Sequence, residues 1–183
     1  MAVKKPIFGR LALGALVGWS SVIAPPWPAF GQPPSRAATV TFLRATGRVI
    51  ILGTHYGDQV EVSLSPSGYQ LGVRAHSEQG ALGRAVPPWV FPVAEVKAVE
   101  FRGGPGDDLF VNNTPIPSYA AGEEGNDVLI GGSNVDVLYG DAGNDWLIGH
   151  DGDDALSGDG HLDTLLGGNG HDWLIRGADT TVD

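Results

Sequence analysis

Six aspartates divide the last third of this chain at an unbroken nine-residue interval: Asp127, Asp136, Asp145, Asp154, Asp163 and Asp172. A leucine stands two residues behind each, at Leu129, Leu138, Leu147, Leu156, Leu165 and Leu174. Glycines crowd the stretches between them, as at Gly131-Gly132, Gly140, Gly143, Gly149, Gly152, Gly167-Gly168 and Gly170. Carboxylates are hard oxygen ligands, and glycine turns let backbone carbonyls approach closely. That combination suits a divalent cation, and calcium in particular, which takes ~6–8 such oxygens. A solvated acidic tail has the same composition, but it needs neither a strict period nor interleaved leucines.

These residues need a scaffold that repeats with them. Each unit reads as a six-residue turn followed by a three-residue strand. Side chains alternate along a strand, so the aliphatic residue faces inward while its neighbours face out. Two units make one 18-residue coil of a flattened helix, and successive coils stack as parallel strands ~4.8 Å apart.

Two segments follow the nonapeptide pattern GGxGxDxUx, in which U is a large apolar residue. They are Gly103-Gly104-Pro105-Gly106-Asp107-Asp108-Leu109-Phe110-Val111 and Gly167-Gly168-Asn169-Gly170-His171-Asp172-Trp173-Leu174-Ile175. Over residues 103–175 the chain resembles the hemolysin-type (repeats-in-toxin, RTX) calcium-binding repeat family. The resemblance implies an all-β fold, a right-handed parallel β-helix (β-roll) of nine-residue repeats, preceded here by irregular β coils. It also implies calcium between turns 18 residues apart, held by carbonyls of both turns and one Asp from each. Carried onto this chain, that pairs Asp127 with Asp145, Asp136 with Asp154, Asp145 with Asp163, and Asp154 with Asp172. The carbonyls come from turns near Gly125, Gly131, Gly143, Gly149, Gly152, Gly167 and Gly170. Asp108 joins the ligand set, although it stands two periods plus one residue before Asp127. Asn112 to Ser118 fill that interval as an irregular coil with a one-residue bulge. Asn134 and His161 replace the fourth-position glycine, and Asp141, His150 and Asp159 replace the second. Positive φ is less comfortable for such residues, His above all.

Charge divides the chain. Residues 1–102 carry 10 Lys/Arg and 5 Asp/Glu, and residues 103–183 carry 1 and 16, so the two parts stand at +5 and −15. The acidic part would repel nucleic-acid phosphates, which excludes that partner class. Without cysteine there are no disulfides. Lys4, Lys5 and Arg10 precede the apolar run Leu11–Trp19, which weakens and stops at Pro25-Pro26. This reads as a cleaved secretory signal peptide over 1–31. The run is too short for the ~20 residues of a membrane-spanning helix. Residues 32–38 read as a linker, 39–102 as the irregular β region and 103–183 as the calcium-binding β-roll. The expected location is secreted, extracellular or at the cell surface.

Within 39–102, Arg48–Leu52, Val60–Leu64, Tyr69–Val73 and Val96–Phe101 read as strands, with a turn at Ser65–Gly68 and a loop over 76–90. Gly53-Thr54-His55-Tyr56-Gly57-Asp58-Gln59-Val60-Glu61 is a faint echo of the nonapeptide, with Asp58 and Val60 at the Asp and aliphatic positions. A separate small β-sandwich is the alternative for this region.

Catalytic motifs are missing: there is no HExxH and no GxSxG. His150, His161 and His171 fall in repeat turns, and His55 and His76 in loops. The expectation is a non-enzyme. Trp146 and Trp173 stand at outward positions on opposite sheets and are expected to pack against neighbouring coils. The leading functional reading is a secreted calcium-binding structural or adhesion module. Two alternatives stand beside it. One is a binding protein that uses 39–102, with the repeats as a stalk. The other is a remnant or truncated part of a larger RTX-type enzyme or toxin. Calcium is the expected cofactor. An extracellular polymer, or a second copy meeting an uncapped C-terminal edge, is the further partner class.

Overall fold

The computed structural model describes residues 38–77, 88–175, 177 and 181–182. The expected signal peptide, and the linker up to Ala37, lie outside the described residues.

The chain builds two sheets by alternating between them. Strands β1 (Thr39–Leu43), β2 (Arg48–Leu52), β3 (Asp58–Leu64), β4 (Gln70–Ser77) and β5 (Trp89–Pro92) come first. After a short 3-10 turn follow β6 (Ala98–Pro105), β7 (Leu109–Asn113), β8 (Ser118–Glu124), β9 (Val128–Ile130) and β10 (Asp136–Ala142). The last are β11 (Trp146–Asp151), β12 (Ala155–Ser157), β13 (Thr164–Asn169), β14 (Trp173–Ile175) and β15 (Thr181–Val182). The first sheet runs β1-β2-β6-β8-β10-β12-β14 and the second β15-β13-β11-β9-β7-β3-β4-β5. From β6 onward every neighbouring pair is parallel. This is the parallel β-roll that the nine-residue period implies.

One aliphatic residue per unit points into the space between the sheets. Leu129, Leu138, Leu147, Leu156 and Leu165 are each 0% exposed. Burial of a leucine contributes ~1.5–3 kcal/mol, so this axial row is the main apolar source of cohesion in the repeats. Upstream the row becomes aromatic. Phe101 and Phe110 stack with centroids 5.1 Å apart. Ala120 is the in-register neighbour of Phe101, and its small side chain leaves room for the larger ring.

The registers locate the one-residue bulge. Val99 pairs with Ser118 and Val111 with Ile130, an offset of 19. From Ser118 and Asp136 onward the offset is 18. The extra residue therefore lies within 112–117. The Asn112 side chain braces this bend internally. Its Nδ2 donates to the Ile116 carbonyl at 2.8 Å, and its Oδ1 accepts from Thr114 N and Oγ1.

Residues 39–102 divide into two roles. β2 and β6 are parallel neighbours, as are β3 and β7, so these segments are coils of the roll. β1, β4 and β5 instead add antiparallel strands at one end of the two sheets. Val40 and Phe42 of β1 and Trp89 and Phe91 of β5 pack onto the core, joined by Leu64 at the end of β3 and Val93 in the 3-10 turn. Phe42 and Phe91 meet at 5.3 Å, joining the two sheet edges. His76, expected in a loop, lies exposed on β4 opposite Gln59. At the other end β15 pairs with β13, Thr164 opposite Thr181, so the stack continues beyond Ile175 at an offset of 17 in place of 18. Among the described residues no antiparallel strand covers β14 or β15.

Trp146 and Trp173 lie on opposite sheets, as expected. They are 55% and 63% exposed, so packing on neighbouring coils covers less than half of each ring.

Candidate metal centre

Each repeat Asp begins or immediately precedes a strand, at a point where side-chain alternation turns it inward. Asp108, Asp127, Asp136, Asp145, Asp154 and Asp163 are 0–2% exposed. Asp172, in the last repeat, is half-buried. Burial of so many carboxylates demands hydrogen-bond partners or a cation.

The backbone supplies one partner. Asp127 N–H donates to Oδ1 of Asp145 at 2.8 Å, and Asp145 N–H to Oδ1 of Asp163 at 3.1 Å. On the opposite sheet Asp136 N–H donates to Asp154 and Asp154 N–H to Asp172, at 2.7 and 3.0 Å. These are the four pairs that the family resemblance implies. Asp108 joins the same ladder across the bulge, donating from N–H to Asp127 Oδ1 at 2.7 Å.

The second oxygen is different. Oδ2 of Asp108, Asp127, Asp145 and Asp154 is buried without a hydrogen-bond partner. Desolvation is the main reason their pKa values rise: Asp108 to about 8, Asp127 and Asp154 to about 7, and Asp145 to about 6. Neighbouring carboxylates push the same way, against the backbone N–H bond. Each site therefore favours a neutral acid or a bound cation over a bare charge.

The first-position glycine follows from this carboxylate. A Cβ at Gly140 would strike Asp145 Oδ2, and one at Gly149 would meet both Asp154 and the Gly167 carbonyl. Fourth-position glycines face carbonyls instead. Gly143, with φ of 143°, sits against the Gly125 carbonyl, and Gly170 against that of Gly152. Gly131, a first-position glycine like Gly149, meets both the Asp136 carboxylate and the Gly149 carbonyl. At two notches a carbonyl and an unpartnered carboxylate oxygen meet: the Gly167 carbonyl with Asp154 Oδ2 at Gly149, and the Gly122 carbonyl with Asp108 Oδ2 at Gly103.

Among the described residues no three His, Cys, Asp or Glu side chains converge. A cation here would draw most of its shell from carbonyls. That donor set fits calcium, which accepts many neutral oxygens beside a few charged ones, and does not suit zinc, which takes His and Cys. The residues present fit the ion.

Sequence reasoning missed several parts. Ser118 occupies the Asp position of the irregular coil, 18 residues before Asp136. Its N–H and Oγ both donate to Asp136 Oδ1, at 2.7 and 2.6 Å. Gly132 N–H takes Oδ2 at 2.6 Å, so protein donors satisfy Asp136 on both oxygens. On one side of the stack a second ladder runs at the residue before the Asp, in the opposite sense. Asp107 Oδ1 accepts from Asn126 N–H, Asn126 Oδ1 from Asn144 N–H, and Asn144 Oδ1 from Leu162 N–H. The signal was present as Asp/Asn at Asp107, Asn126, Asn144 and Asp153. Of the five substituted turn positions four adopt the left-handed conformation, with φ of 69° at Asp141, 77° at His150, 66° at Asp159 and 74° at His161, whereas Asn134 does not. Glu123 joins them at 82°.

Fold and site together define a parallel β-roll of nonapeptide repeats with one buried Asp per unit. Residues 119–147 and 139–174 match the family described as RTX calcium-binding nonapeptide repeat (4 copies). Residues 119–174 are therefore RTX calcium-binding repeats, and calcium is the ion that they bind. No curated protein and no solved structure matches the chain.

Proposed function

We propose that this protein is a secreted calcium-binding module whose Gly/Asp-rich repeats fold as calcium enters the turns, and that it serves a structural or adhesive role outside the cell. The carrying observation is the row of buried carboxylate oxygens without partners at Asp108, Asp127, Asp145 and Asp154, beside carbonyl-lined turns. Once ionised, these groups are costly to bury alone, so a cation removes the main obstacle to folding. The Lys/Arg-flanked apolar run before Pro25 supports export. Among the described residues no helix is long and apolar enough to cross a membrane. Cytosolic calcium is scarce, which would keep the repeats open until they leave the cell.

The reading is non-catalytic, because the buried aspartates are committed to the stack. Association with a second copy or an extracellular polymer is supported by the end formed by β14 and β15, where no antiparallel strand seals the sheets among the described residues. The test joins two measurements. Circular dichroism in chelator and in calcium reports folding. Fusion of residues 1–31 to a reporter enzyme reports export. A reporter retained inside the cell would remove the secreted part of the reading.

A further inference from the structure

We propose that residues 39–102 fold without calcium and act as the template from which calcium builds the coils, one after another, toward the C-terminal end. The order of assembly rests on the calcium reading of the repeats, whereas the template itself does not.

The template completes its own strand pairing. β1-β2-β6 form one sheet and β3-β4-β5 the other, and every strand is bonded to another within the segment. Phe42 and Phe91 close the two sheets at the far end. Among the described residues, nine of the 17 buried core residues stand before Gly103, with seven of the eight partly buried apolar residues packed against them. Each repeat unit from Asp127 to Asp163 buries a single leucine instead. Apolar burial gives cohesion that needs no ion.

Charge draws the same boundary. Residues 39–102 carry 6 Lys/Arg and 5 Asp/Glu, against 1 and 16 beyond them. The first part is therefore spared the self-repulsion that opposes the second in the absence of ions. The buried carboxylates of the template are Asp58 and Glu100. Asp58 accepts Thr54 N–H at 2.5 Å, and Glu100 lies between Arg48 and Arg102. Among the described residues one buried carboxylate oxygen lacks a hydrogen bond there, Asp58 Oδ1, against four from Asp108 onward.

The Asp ladder supplies the direction. Oδ1 of Asp108 accepts the N–H of Asp58, and Oδ1 of Asp127 that of Asp108. Asp145 accepts from Asp127 in the same way, and Asp163 from Asp145. Every carboxylate in this row reaches back to the coil before it, and the first N–H belongs to the template. The strand edges agree, since β3 and β6 offer β7 and β8 their parallel partners. A coil beside a formed neighbour gains that interface at once, while a coil within open chain has none to gain.

Hydrogen exchange of the intact chain, resolved by peptide mass spectrometry, tests both parts. In chelator, peptides from β2, β3 and β6 should exchange at least about tenfold more slowly than the unfolded chain, while peptides beyond residue 103 exchange as unfolded. As calcium rises, protection should reach Leu129 before Leu165. Leu138→Asp puts a charge into the axial row. In saturating calcium it should keep protection over β2, β3 and β6 and lose it from Ala155 onward. Protection of β13 and β14 in that variant would overturn growth from the template, as would wild-type protection that starts at the C-terminal end. Loss over β2, β3 and β6 as well would overturn the independence of the template. An unprotected 39–102 in chelator, with protection still gained beyond 103 in calcium, would overturn the template and leave the calcium reading standing. Protection before 103 in chelator, with no gain beyond it in calcium, would sink the calcium reading and the order of assembly, and leave the template.

Discussion

Asp145 sits between two coils: its Oδ1 accepts the N–H of Asp127 and its own N–H is given to Asp163. Among the described residues Asp172 is bonded on one side, to Asp154. An ion shared between adjacent turns therefore draws on Asp145 twice and on Asp172 once. Asp145→Asn should lose about twice as much bound calcium as Asp172→Asn. One site held at a hundredfold excess over Kd is worth about 2.7 kcal/mol, so the gap should also appear in calcium-dependent stability. Equal losses in calorimetric stoichiometry would refute the 18-residue pairing.

Acid should act in opposite directions on the calcium-free and calcium-loaded protein. The folded-state pKa values of Asp108, Asp127, Asp154 and Asp145 lie at about 8, 7, 7 and 6, above the ordinary 3.8. The calcium-free fold then holds more protons than the unfolded chain between about pH 4 and 8. Its stability is greatest at the acid end and falls as pH rises through that window. Calcium needs the ionised form, so the loaded protein should lose its ions as pH falls toward about 3. Circular dichroism in chelator and in calcium across that range compares the two. A calcium-free protein that gains no β structure between about pH 8 and 4 would contradict these burial-shifted carboxyls.

Two glycines should respond oppositely to alanine. Gly140 has the Asp145 carboxylate where a Cβ would go, whereas Gly160 has nothing within 4 Å. Gly140→Ala should destabilise the loaded protein by about 1–3 kcal/mol through overpacking. Gly160→Ala should be neutral or stabilise by up to about 1 kcal/mol, because it restricts the unfolded chain. Thermal melts in saturating calcium compare them, and equal shifts would mean that the carboxylate does not fill the glycine notch.

His161→Gly should raise stability. His161 holds φ of 74° at a position where other repeats use glycine. The left-handed conformation costs a non-glycine residue roughly 1–2 kcal/mol, and glycine returns part of that as extra entropy of the unfolded chain. A net gain on the order of 1 kcal/mol is expected in denaturant unfolding with calcium. A loss of that size would show that the imidazole, which favours the ionised form of Asp145, matters more than the backbone.

The sequence revealed most where chemistry and periodicity coincide. The Asp and Leu rows repeat every nine residues, so the coils, the inward leucines and the four Asp pairs were all legible. Ser118 was not, because a serine hides the carboxylate position and the extra residue within 112–117 shifts the count. Asp58 was visible only as an echo, since β4 and β5 separate its turn from the next coil. Of the antiparallel strands at the end, β4 showed as the alternation over Tyr69–Val73, whereas β1 and β5 left no periodic trace, because Val40, Phe42 and Phe91 are placed by edges that form far apart in the chain. The Asp107–Asn126–Asn144 ladder was written in the residue types, but it becomes meaningful only when coils stack with N–H groups facing those side chains.

Calcium titration of the purified protein, followed by far-ultraviolet circular dichroism and tryptophan fluorescence, tests the central claim most directly. Trp146 and Trp173 report from opposite sheets. In chelator at neutral pH, β structure beyond residue 103 should be absent. It should appear steeply near ~10⁻⁴–10⁻³ M calcium, the range of extracellular calcium modules, with the fluorescence change in the same transition. Magnesium, which demands a tight octahedron and holds its waters, should fail to replace it. Equal β content in chelator and in calcium, or equal folding by magnesium, would contradict calcium-coupled folding and leave the roll as a structural scaffold alone.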